Sequence, residues 1–218
     1  MQTIRPRELV LAVILTGTAG FLDAVGFLNL GGYFVSFMSG NTTRMSAEFI
    51  HGSWTSVGKA FGIIGLFIAG AVIGSVLARF GDGRVTVLAS TTGVVGLSAL
   101  ATTAHWFPVP PILIVAVAMG ILNATFLSNG EVSVGLTYMT GTLVKASQRL
   151  VDAFYGGPRW LWLRYFGLWL ALALGALLGA WAYTQIGLDV LWFVFGALGL
   201  ITVVTWRIRT QLAISDAD

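Results

Sequence analysis

No cysteine occurs anywhere in the chain. That absence removes disulfide frameworks, thiolate metal sites, haem attachment and cysteine nucleophiles together. Histidine is almost as scarce. His51 and His105 lie far apart near expected span ends, and neither has a His-x-x-x-His partner, a paired carboxylate or a serine–base pattern beside it. Charge is thin as well: 10% of the 218 residues are Asp, Glu, Lys or Arg, against 56% hydrophobic residues and a mean hydropathy of +0.87. A soluble domain of that composition has too little polar surface to cover itself, so the solvent it calls for is lipid. The pI near 9.6 reflects a net charge of only +3. The basic residues sit beside apolar stretches, which reads as membrane topology rather than nucleic-acid binding.

What the chain has is long apolar runs. Six, near 8–30, 58–80, 85–104, 109–128, 160–184 and 188–206, are long enough at about 1.5 Å per residue to cross a hydrocarbon core of roughly 30 Å. The first is too long for a signal-peptide core and shows no small-residue cleavage pattern, so it is expected to stay in the mature protein. Gly81-Asp82-Gly83 links the second and third runs, Pro108, Pro110 and Pro111 open the fourth, and Gly156-Gly157-Pro158 precedes the fifth. Tryptophans 54, 106, 160, 162, 181 and 206 fall near run ends, where an amphipathic ring suits the headgroup layer. With the N-terminus in the cytoplasm, ten of the twelve basic residues fall on the cytoplasmic side and only Arg44 and Lys59 outside. That bias predicts a bacterial inner-membrane protein with both termini in the cytoplasm.

The chain also repeats itself. Val35-Ser36-Phe37-Met38-Ser39-Gly40 returns as Leu136-Thr137-Tyr138-Met139-Thr140-Gly141, and Gly20-Phe21-Leu22-Asp23-Ala24 returns as Gly120-Ile121-Leu122-Asn123-Ala124. Gly70-x-x-x-Gly74 matches Gly175-x-x-x-Gly179, and Arg44 matches Lys145. Three spans per copy force the second copy to enter from the opposite face. The expected fold is therefore all-α: six transmembrane helices as two inverted three-helix repeats, 1–106 and 107–218, forming one integrated domain. The paired Gly-x-x-x-Gly motifs suit close helix approach, either between the copies or across a homodimer.

Asp23 is the acidic residue that clearly lies inside a span, and a carboxylate in hydrocarbon is costly unless it faces the bundle interior, water or a partner. It suits a protonatable carrier, a ligand for a coupling cation or a counter-charge to a cationic substrate; the structural alternative is a carboxylate holding freed backbone. Its counterpart Asn123 is isosteric and neutral, and interhelical hydrogen bonding explains it equally well. The stretch 31–43 is too apolar for a solvated loop, and Gly31, Gly32 and Gly40 make it a poor continuous helix. It reads as a re-entrant or broken-helix element, with an equivalent after the fourth span. Such backbone is tolerated at membrane depth only where protein buries it or where it lines a water-filled cavity.

Ser39-Gly40-Asn41-Thr42-Thr43 and Thr140-Gly141-Thr142 are expected to cap short helices. A helix start offers unpaired N–H groups to an anionic substrate group; plain capping is the bland use of the same residues. Arg44 and Lys145 follow as gate or anion contacts, or as snorkelling anchors. Met38 and Met139 are packing residues rather than metal ligands.

At these residues, Gly20-Phe21-Leu22-Asp23-Ala24-Val25-Gly26-Phe27 and Phe34-Val35-Ser36-Phe37-Met38-Ser39-Gly40-Asn41-Thr42-Thr43, the chain resembles the YoaK-like family of small bacterial six-span membrane proteins. The resemblance covers nearly the whole chain and implies an inner-membrane protein of six spans. It assigns no substrate. Where family members often have Thr before the Gly-Asn pair, this chain has Ser39, which keeps the hydroxyl. The expected function is a small-solute transporter or channel with a central site between the repeats, proton- or cation-coupled through Asp23. A non-transporting scaffold or partner-binding subunit is the alternative. No enzyme activity, cofactor or metal is expected; the expected partners are the bilayer and a small-molecule or ion substrate.

Overall fold

The computed structural model describes residues 6–104, 110–128, 131–132 and 134–215; His105, Trp106 and Pro108 lie outside them. The long apolar runs are helical because, in hydrocarbon, each backbone N–H and C=O must find its partner within its own segment. They form α1 (Pro6–Leu30), α3 (Trp54–Leu77), α4 (Gly83–Ala104), α7 (Leu161–Ile186) and α8 (Val190–Ser215). Between them lie two shorter helices, α2 (Met38–Ile50) and α6 (Met139–Phe154), and the ten-residue α5 (Leu113–Leu122).

Four stretches, 7–30, 54–77, 83–104 and 161–211, are long and apolar enough to cross a membrane. The last holds 51 residues, about 76 Å if it were one helix and more than twice a hydrocarbon core. It breaks at Gly187, whose φ is 61°, into α7 and α8, each 26 residues long. The fourth expected span is shorter than its apolar run. α5 gives way to a 3-10 turn at Asn123–Phe126, where Asn123 Nδ2 donates to Met119 O at 2.9 Å and Thr125 Oγ1 to Leu122 O at 2.7 Å. These side chains compete for carbonyls that a regular helix would use. Two two-residue strands follow, β1 (Leu127–Ser128) antiparallel to β2 (Glu131–Val132); the sequence pattern does not anticipate them.

Small residues decide which helices touch. A Cβ placed on Gly175 would collide with the carbonyl oxygen of Gly17, on Gly179 with that of Phe21, and on Gly20 with that of Leu172. This is the α1–α7 interface. The α5–α3 interface is built likewise, with Gly70 against Val117, Gly74 against Ile121 and Gly120 against Phe67. The glycine faces are thus filled within the chain. Gly17 meets Gly175 and Phe21 meets Gly179, with Asn29 further on bonded to Tyr183, and Gly70 and Gly74 meet Val117 and Ile121, so both pairs run parallel. α4 and α8 run antiparallel, with the Thr92 and Thr202 hydroxyls 3.2 Å apart and Gly96 against Phe195. Away from these contacts the outer faces are apolar: Phe61, Ile68, Leu177, Trp181, Phe193 and Leu200 are exposed. In water that would be a large unfavourable patch, whereas lipid is its natural solvent.

Two helix seams differ. α4 packs along α5, closed by Ser98 Oγ donating to Pro111 O at 2.8 Å. α1 and α8 share no such packed face; a groove of about 660 Å³ separates them.

Candidate functional site

The chain leaves α1 at Leu30, turns on Gly31 and Gly32 with φ of 71° and 91°, and runs back beside the helix it has just left. The return is pinned at Asp23, roughly 10 Å below the helix end. Ser36 N–H donates to Asp23 Oδ1 at 2.7 Å and Ser36 Oγ donates to Oδ2 at 2.6 Å, so both carboxylate oxygens accept from one residue. The second copy repeats this in weaker form: Thr137 Oγ1 donates to Asn123 Oδ1 at 3.3 Å. Ser36 and Thr137 lie thirteen and fourteen residues after their partners. By sequence, Ser36 and Thr137 are polar enough to line a permeation route or to make an ordinary packing contact; their bonds to Asp23 and Asn123 were not expected, although the matched spacing in the two segments was a usable signal.

From these returns start α2 and α6, which lead to α3 and α7 respectively. Their starts face one cavity of about 270 Å³, lined in the first copy by Ser36, Met38 and Ser39 and in the second by Thr137, Met139, Thr140 and Gly141. Phe67 of α3 completes the wall. The capping expectation is corrected here. The N-cap residues are Phe37 and Tyr138, and neither caps its helix through a side chain. Ser39-Gly40-Asn41 and Thr140-Gly141-Thr142 lie inside the first turns instead. The hydroxyls of Thr42 and Thr43 turn back to Met38 O and Ser39 O at 2.9 and 3.1 Å; Met38 N–H is taken by Ser36 O at 3.1 Å, and the next N–H groups of each first turn have no acceptor within their own helix.

The other expected site residues fall around it rather than in it. Asn41 is fully buried and clamps the returning strand, accepting from Phe34 N–H at 2.9 Å and donating to Phe34 O at 2.7 Å. Thr142, its counterpart, is buried and donates to Tyr138 O at 3.1 Å. Gly40 is required by packing, since a Cβ there would run into the Phe37 ring. Asp23 and Asn123 stand one residue behind the cavity wall, through Ser36 and Thr137. Arg44 lies 4.1 Å from the Tyr33 ring centroid and 3.8 Å from Glu48, over Gly32, where a Cβ would strike its guanidinium. Lys145 is exposed.

Apolar helices with lipid-suited outer faces, breaks at buried polar residues and a cavity between matched segments define a helical transmembrane protein. The family described as "Protein of unknown function (DUF1275)" matches residues 11–204, and the chain belongs to that family. It is 30% identical over 200 residues to the UPF0700 transmembrane protein RA0705 of Rhizobium meliloti (strain 1021), across 92% of this chain and 87% of the relative. No solved structure matches.

Proposed function

We propose that this protein is a small-solute transporter or channel of the bacterial inner membrane, with its permeation site in the cavity between the starts of α2 and α6. The observation that carries this reading is that cavity, bounded by matched segments of both copies with uncapped helix starts from each side. First-turn N–H groups and the hydroxyls of Ser39 and Thr140 suit a small anion or a neutral solute rich in hydrogen-bond acceptors, while the Ser36 and Thr137 hydroxyls, whose protons go to Asp23 and Asn123, can only accept. Asp23 holds Ser36 in the wall, and its carboxylate is the group through which proton or cation coupling would reach the site.

The architecture of this reading is six crossings in two inverted three-span copies, 1–106 and 107–218, with both termini in the cytoplasm. Helix directions support it. α3 begins beside the end of α1, where Lys59 Nζ donates to Leu30 O at 2.6 Å, so the two run oppositely. α5 is parallel to α3, α7 to α1, and α8 opposes α4. The first copy therefore runs up, down, up and the second down, up, down.

The absence of native cysteine makes the test direct. Ser39→Cys and Thr140→Cys should each react with a water-soluble, membrane-impermeant thiol reagent in intact vesicles, and a solute that shifts the thermal midpoint should slow both reactions. Inertness at both positions, with a surface cysteine reacting normally, would leave a dry centre and favour the scaffold. That second reading has its own support in Asn41 and Asn123, whose polar atoms are occupied within the chain.

A further inference from the structure

The groove between α1 and α8 is larger than the central cavity and differs from it in chemistry. Its walls are aliphatic, with Val10 and Ile14 on one side and Leu200, Val204 and Ile208 on the other. One end is ringed by Arg7, Arg84 and Arg209. From Arg7 to Ile14, and from Leu200 to Arg209, it extends about 10–14 Å along the helix axes, close to the half-thickness of a hydrocarbon core. The groove is thus one leaflet deep, greasy along its length and basic at the headgroup level. At about 660 Å³ it lies within the usual range of ligand sites.

The charges at the mouth are not fully matched. Arg84 Nη1 pairs with Glu8 Oε1 at 3.0 Å, and Arg209 pairs with Asp82. Arg7 is exposed and makes no ion pair with any described residue. Two carboxylates against three guanidiniums leave one positive charge over the groove. Arg84 also donates from Nε to Thr125 O at 3.3 Å, which fixes it to the end of the 3-10 turn. The donors are planar forks suited to the oxygens of a phosphate.

The matching seam of the other copy is closed where this one is open. Ser98 of α4 meets Pro111 at the head of α5, whereas Thr205 of α8 and Leu11 of α1, at near-equivalent places, both line the groove. The same fold can therefore seal this seam, and in the basic half it does not.

We propose that the α1–α8 groove is a binding site for an anionic membrane phospholipid, with an acyl chain along Val10, Ile14 and Val204 and its phosphate at Arg7, Arg84 and Arg209. A lipid seated there replaces the missing helix contact and joins α8 to α1.

The test uses the full chain, delipidated in detergent and titrated with phosphatidylglycerol, phosphatidylcholine or inorganic phosphate. Retention is read by native mass spectrometry and stability by thermal unfolding. Phosphatidylglycerol should be retained and raise the midpoint more than phosphatidylcholine, and inorganic phosphate should do neither. Arg7→Gln should weaken phosphatidylglycerol retention about fivefold, as expected for one basic residue at an anionic lipid surface, while leaving phosphatidylcholine unchanged. Val204→Trp, which fills the groove, should abolish retention of both lipids. Arg7 lies in the exposed first turn of α1, so that variant carries the test even if Val204→Trp fails to fold. Equal retention of the two lipids, a phosphate effect equal to that of phosphatidylglycerol, or Arg7→Gln behaving as wild type would overturn the proposal. So would a dimer whose formation excludes phosphatidylglycerol, because the groove would then be a protein interface.

Discussion

The two copies of this chain agree where helices cross and disagree where polar groups are placed. The α1–α7 and α3–α5 crossings use the same glycines against the same backbone positions, yet one copy holds its re-entrant segment with a carboxylate and the other with an amide. One seam is shut by a serine hydroxyl and its counterpart is a groove. Close backbone approach tolerates no substitution without moving both helices, so it persists in both copies. A hydrogen-bonding position accepts Asp or Asn, Ser or Thr, with little change of shape, so matched positions can differ there in charge and access.

The largest expected effect comes from breaking what the copies share. Gly175→Leu puts a side chain into the Gly17 carbonyl, and since neither backbone can yield cheaply, the loss should be about 3 kcal/mol or more. Gly74→Leu should cost about as much in the other crossing. Gly167 and Gly62, on the same two helices, face open space, and leucine there should be tolerated. Unfolding in a denaturing-detergent titration would compare the four. Equal tolerance at all four positions would mean that the crossings are not the stabilising contacts.

Next in size is the difference between the two returns. Asp23→Ala leaves a buried Ser36 hydroxyl and N–H without their acceptor, a loss of about 3 kcal/mol, whereas Asn123→Ala removes two neutral bonds, the longer one from Thr137 and the one to Met119 O, about 1–2 kcal/mol. The same unfolding titration reads both. Asp23→Asn should fall between them, because an amide keeps one acceptor oxygen. If Asp23→Asn is as stable as wild type but binding or uptake loses its pH or cation dependence, the carboxylate is kept for coupling. If that dependence is unchanged, Asp23 is the pin of the re-entrant segment and nothing more.

Much of the helix layout was open to sequence reading because lipid imposes it: the apolar runs at 58–80 and 85–104 became α3 and α4 with boundaries moved by a few residues. The fourth run was overread, since hydropathy cannot register that Asn123 and Thr125 take carbonyls from their own helix. At the site, the repeated hexapeptides pointed to the cavity, and Ser39, Thr140 and Gly141 do line it. Asn41, expected as a binding residue, has its amide on Phe34 behind the cavity. An amide can serve a ligand or a strand equally well, and only the position of Phe34 decides which. The open α1–α8 seam had no local signature at all, because whether two distant helices meet depends on everything packed between them.

The smallest expected effect concerns the matched bases. Arg44 stacks on Tyr33 and approaches Glu48, but its side chain is 35% exposed, so solvent weakens both contacts. Arg44→Gln should cost only about 0.5–1 kcal/mol. Lys145 sits on the exposed face of α6, and Lys145→Gln should leave the unfolding midpoint where it was. That contrast separates anchoring from function. If Lys145→Gln leaves stability untouched yet lowers uptake of an anionic solute into proteoliposomes, its charge acts on the permeating species. The loss should then shrink at high salt, where a Debye length of about 3 Å at 1 M screens the lysine from the cavity. Unchanged uptake at low salt would instead make Lys145 a headgroup anchor, and Arg44 the base whose position was kept for packing on Tyr33.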